Sequence, residues 1–203
     1  MSRNTQFTTL ARKAYLSYHQ DGLLDLLIGW GVLAFGLMLA TDSSVWALMG
    51  WLPIVFYVPL KNRFTVPRLG YVKFKNDQNK IATGVLVIVL LIISVLGIAL
   101  FLFADSAPSS ITLWIRDNSL LFYGLVGAFG FGLTGLGSGI RRILGYSLLS
   151  LLIMLGGHLL GVQEFLPFLL LGGVILVVGL FMLTRFLRKY PLSSEGEVIN
   201  ADK

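Results

Sequence analysis

Few residues in this chain have side chains that could do chemistry. In "YHQDGLLDL", Asp21 and Asp25 stand one helical turn apart at the entrance to an apolar run. A carboxylate carried into such a run needs a cation or hydrogen-bond donors, because its desolvation costs several kcal/mol. Cations that could meet them are Arg63, Arg68, Arg141 and Arg142, each at the edge of an apolar run. The expectation is a clamp in which Asp21 and Asp25 hold "PRLGYVKFK". Pro67 and Gly70 shape its turn, and Val72 and Phe74 dip into a membrane interface. Arg63, Arg68, Tyr71 and Lys73 are then candidates, with the two aspartates, for contact with a lipid head group or another ligand.

His158, in "LGGHLLG", admits three kinds of chemistry: a hydrogen bond to a neighbouring helix, a proton relay, or ligation of a haem or chlorophyll-type pigment let in by the adjacent glycines. A single histidine with no second motif favours the first, so no cofactor is expected. Trp51 and Tyr57 flank Pro53, where a missing amide donor and crowding of the Met49 carbonyl predict a bend. They either line a pocket at that bend or fill a core.

Composition decides what must position these groups. The chain has 203 residues, 56% hydrophobic and 13% charged, with a mean hydropathy of +0.81. That lies outside the range of soluble domains. It has no cysteine and two histidines, which excludes thiolate chemistry and disfavours a metal centre. No nucleophile with a base, paired in-membrane carboxylates or ligand cluster can be assembled, so an enzyme is disfavoured. The net charge of +6 would suit a nucleic acid in a soluble protein, but its distribution here argues for a membrane and against that partner.

Six apolar runs approach the length needed to cross about 30 Å of hydrocarbon as helix: 23–40, 45–60, 81–103, 119–138, 143–160 and 165–184. None alternates as a barrel strand does, which predicts an all-α, polytopic six-helix transmembrane bundle. Every Lys and Arg except Arg116 falls on one side of these spans. The positive-inside rule therefore places both termini and the 61–80 loop in the cytoplasm, with the chain in the cell (inner) membrane. Residues 1–22 read as a cytoplasmic amphipathic segment lying on the bilayer, not a signal peptide, with Phe7, Leu10, Ala14 and Tyr18 on one stripe. "SSITLWIRDN" reads as a second surface-lying stretch on the outer side, with Ile111, Trp114 and Ile115 at the interface. Residues 185–203 form a cytoplasmic tail with a disordered composition.

Gly135 with Gly139, and Gly157 with Gly161, have the spacing of a helix-packing seam. A shift of 96 residues aligns Gly31, Phe35, Gly36 and Leu37 with Gly127, Phe131, Gly132 and Leu133. That match suggests a 3+3 inverted repeat. "YLSYHQDGLLDL", "VPRLGYVKF" and "FLRKYPL" together resemble a group of uncharacterised bacterial multi-spanning membrane proteins, over most of the chain. The resemblance implies an integral membrane location and carries no activity. Two functions stay open. One is a non-enzymatic protein that binds membrane lipids or a partner membrane subunit. The other is a small transporter or channel for a weakly polar solute, built from two copies of the chain. The polar residues gather at the cytoplasmic interface and not at the bilayer midplane, which favours the first.

Overall fold

The structure is a computed structural model and describes residues 20–69 and 109–191. These residues are all-α, without a strand among them. The helices are α1 (Leu23–Thr41), α2 (Val45–Phe64), α3 (Val66–Leu69), α4 (Ser109–Asp117), α5 (Ser119–Ser138), α6 (Arg141–Leu159) and α7 (Phe165–Lys189). Four of them, α1, α5, α6 and α7, are long and apolar enough to cross a membrane. The 45–60 run also forms a helix, α2, but Pro53, Pro59, Lys61 and Arg63 lower its apolar character. The predicted span 81–103, the third of the inverted repeat, lies outside the described residues, as do residues 1–19 and the 192–203 part of the tail.

Helix ends differ from the apolar boundaries for a simple reason. Backbone hydrogen bonding continues wherever φ and ψ permit, whatever the side chains. Thus α2 runs on through Lys61 and Arg63, and α7 through Arg185, Arg188 and Lys189. What ends α5 and α6 is conformation. Gly139 (φ 70°) caps α5 in the left-handed region and donates its N–H to the Gly135 carbonyl at 2.9 Å. Gly161 (φ 62°) follows α6 and donates to the His158 carbonyl at 3.2 Å. Gly139 is thus a turn residue, and the space around Gly161 is open to 4 Å, so it packs against nothing.

The described chain falls into two compact units. The first contains residues 20–38, 43–69 and 172–191. In it α1 and α7 run antiparallel at close approach. A Cβ on Gly29 would stand 2.7 Å from the Leu176 nitrogen, one on Gly172 2.6 Å from the Leu33 nitrogen, and one on Gly179 2.8 Å from the Leu26 nitrogen. Real Cβ atoms do not approach that closely, so these glycines set the helix separation.

Helix α2 joins α1 through a different device. Pro53 has no N–H to give the carbonyl four residues earlier, that of Met49. The Trp30 indole of α1 supplies the missing donor, with Nε1 2.8 Å from the Met49 oxygen. In apolar surroundings a freed carbonyl is costly, and a neighbouring helix is the usual remedy. Gly50 lies against Ala34 at the same place, where a Cβ would meet the Ala34 Cβ at 3.4 Å.

The second unit contains residues 39–42 and 109–171. Here α5 packs antiparallel to α6. Gly124 faces Met154, Gly127 faces Ser150 and Gly135 faces Leu144, each closer than an added Cβ would allow. Ser147 Oγ donates to the Ala128 carbonyl at 2.6 Å, tying the two helices with a polar contact. Gly157 is filled by the Pro167 ring, Tyr123 meets Phe168 edge-on at 5.3 Å, and Ser119 donates to Glu164. The stretch expected to lie on the outer surface forms α4, with Leu113 and Trp114 exposed.

Candidate functional site

Two of the charged residues that the first unit buries, Asp21 and Lys61, meet at one end of its helices. Gly22 takes φ 75°, and the turn it makes places Asp21 just ahead of α1. There Asp21 Oδ1 accepts the Leu23 N–H at 3.2 Å, a carboxylate at the positive end of a helix dipole. Its other oxygen, Oδ2, accepts the Thr65 hydroxyl at 2.6 Å and lies 3.7 Å from Lys61 Nζ. Asp21 and Thr65 are 0% exposed and Lys61 is 4% exposed. Lys61 Nζ also donates to the Tyr57 hydroxyl at 3.0 Å, and sits 5.1 Å from the centre of that ring. Asp25, in the first turn of α1, is fully buried too.

The sequence placed the aspartates against the basic segment, but the residues that meet Asp21 are Lys61 and Thr65. Neither was singled out as a partner. Lys61 is spaced one turn after Tyr57 and one turn before Thr65, so a single helix face presents hydroxyl, ammonium and hydroxyl in register. Thr65 also donates its N–H to the Lys61 carbonyl at 2.9 Å, extending the helical turn that aims its side chain. That i, i+4, i+8 spacing is the signal that could have found them.

The other sequence candidates are dispersed. Arg63 is exposed. Arg68 is half-buried; Nη1 donates to the Phe64 carbonyl at 2.9 Å, while Nε is buried without a hydrogen-bond partner. Tyr71 and Lys73 lie outside the described residues. Trp51 is exposed, so it does not line a pocket at the bend, whereas Tyr57 is half-buried against Lys61. His158 is half-buried in the last turn of α6, in the second unit. Gly157 beside it is occupied by Pro167, and Gly156 faces open space. Among the described residues no group of three His, Cys, Asp or Glu side chains is arranged to hold a metal ion.

As chemistry, the Asp21 cluster is charge neutralisation in an apolar setting. A carboxylate, an ammonium, two hydroxyls and a helix N-terminus satisfy one another with little exposure to water. Comparison of the chain with protein-family models, with curated proteins and with solved structures finds no match.

Proposed function

We propose that this chain is a non-enzymatic integral protein of the cell (inner) membrane that binds membrane lipid or docks with another membrane subunit, including a second copy of itself. The observation that carries this reading is the separation of polar from apolar groups in the first unit. Lys61 is the one buried residue of α2, while Val45, Leu48, Trp51, Val55, Phe56 and Val58 on the same helix are exposed. A helix that hides its ammonium and displays its aliphatic and aromatic side chains is built for surroundings of lipid or of other apolar helices. The bias of Lys and Arg supports an orientation with both termini and the 61–80 loop in the cytoplasm.

The rival reading, a transporter for a weakly polar solute, would draw on the buried Asp21 and Lys61, since intramembrane charges often mark a transport path. Their place at a helix end, with partners already satisfied, favours anchoring over transport. Native mass spectrometry of protein released gently from membranes separates the two readings. Retained phospholipid or a stable complex is expected. A lipid-free monomer that moves solute across proteoliposomes would replace this proposal with its rival.

A further inference from the structure

Among the described residues of the first unit, positive charge gathers at the end where Asp21 sits. Its two described acids, Asp21 and Asp25, are both fully buried, and Asp21 is engaged by Lys61 and Thr65. The acids therefore lie beneath the surface, while Arg63, Arg185, Arg188 and Lys189 are exposed and Arg68 is half-buried. Arg63 and Arg68 follow Lys61 at the end of α2. The antiparallel approach of Gly22 to Gly179, Met182 and Leu183 brings the end of α7 to the same level, adding Arg185, Arg188 and Lys189. No carboxylate among the described residues forms an ion pair with any of these five.

The height of this rim follows from helix length. At about 1.5 Å per residue, the 25 residues of α7 extend about 37 Å, against about 30 Å of hydrocarbon. The last turn and a half, which bears the three cations, therefore stands at head-group level when the apolar part spans the bilayer. Arg68 adds a second observation. One guanidinium nitrogen is committed to the Phe64 carbonyl, but the buried Nε has no acceptor, and an unmet charged donor is costly. Turning outward from the Phe64 carbonyl would bring the Nε edge of the guanidinium to the rim, where a phosphate would give it a two-pronged acceptor.

We propose that this rim binds the phosphate of an anionic glycerophospholipid head group, with Arg68 as the fork and Arg63, Arg185, Arg188 and Lys189 supplying the field. The inference rests on the reading of the chain as a lipid-engaging membrane protein, and names the lipid class and the residues. It is tested on full-length protein reconstituted in nanodiscs holding equal phosphatidylglycerol and phosphatidylcholine, by counting each lipid retained on gentle release. Wild type should enrich phosphatidylglycerol. Arg68→Gln and Arg63→Gln should each lower that enrichment about fivefold, with helical content and melting temperature unchanged. Arg68→Lys keeps the charge but loses the fork, and should fall nearly as far as Arg68→Gln. Arg116→Gln, in the second unit, should change nothing.

Equal retention of the two lipids by wild type, or full enrichment in Arg68→Gln, overturns the proposal while leaving the membrane reading intact. Enrichment preserved in Arg68→Lys overturns the fork and leaves charge alone as the source of the binding. Displacement of the lipid by millimolar inorganic phosphate would identify a site for the free ion instead. Release of the protein from membranes by alkaline carbonate would instead sink the underlying membrane reading.

Discussion

A lysine is buried on a helix whose leucines, valines and Trp51 are exposed, and it is tolerated because of what Asp21 and Tyr57 offer it. The 3.7 Å separation of Lys61 from Asp21 is long for a strong ion pair, whereas the 2.6 Å bond from Thr65 is short. The cluster is therefore better described as a carboxylate held by a helix N-terminus and a hydroxyl, with the ammonium completing its neutralisation. Removing one charge leaves the other buried with less compensation, which costs about 3 kcal/mol or more. Asp21→Asn and Lys61→Met should each lower thermal stability in detergent by that order. The double variant should cost at least about 1 kcal/mol less than their sum. Additive losses in that cycle would show that the two side chains do not depend on each other. Asp21 was legible as a carboxylate needing partners, since "QDGLLDL" opens an apolar run. Its partners were obscured because lysine after an apolar run reads first as a topology marker, and Thr65 carries no charge to notice.

At the scale of the element, α2 shows how two weaknesses offset each other across a helix pair. Pro53 removes a hydrogen bond from Met49, and Trp30 restores one from outside the helix. Trp30→Phe keeps the aromatic bulk but leaves the Met49 carbonyl unmet, at a cost of about 1–3 kcal/mol. Pro53→Ala returns an intrahelical N–H to that carbonyl. The expected outcome is that Trp30→Phe destabilises the protein, and that adding Pro53→Ala recovers most of the loss in a thermal melt. No recovery would mean that the indole acts through packing alone. The proline, and the carbonyl it crowds, could be read from "MGWLP"; the donor could not, because nineteen residues separate Trp30 from Met49 in the chain. Glycines divide similarly. The four-residue spacing is shared by Gly135 with Gly139 and by Gly157 with Gly161, yet the second glycine of each pair takes a positive φ and ends a helix. Spacing alone does not distinguish a packed glycine from a capping one, since both demand the absence of a Cβ.

For the whole molecule, apolar run length located every long helix that is described, because the distance across hydrocarbon is a constraint on sequence as direct as any motif. The same measure placed α2 and α7 too short, since it counts apolar residues and is blind to a helix continuing through Lys61 or Arg185. The charge bias predicts an orientation, and the absence of cysteine allows it to be tested without background labelling. Single cysteines at the exposed positions Ser44 and Gln163 should react with a membrane-impermeant maleimide on intact cells. Those at Asn62 and Pro191, also exposed, should react only after permeabilisation. Labelling at Asn62 from outside would invert the orientation and remove the cytoplasmic placement of the arginine rim. If Asn62 and Pro191 respond alike while Gln163 differs, the chain crosses an odd number of times between 62 and 163. Two crossings by α5 and α6, which are long and apolar enough to make them, would leave that number even, so one more is required, and the apolar run 81–103 is of the length to supply it.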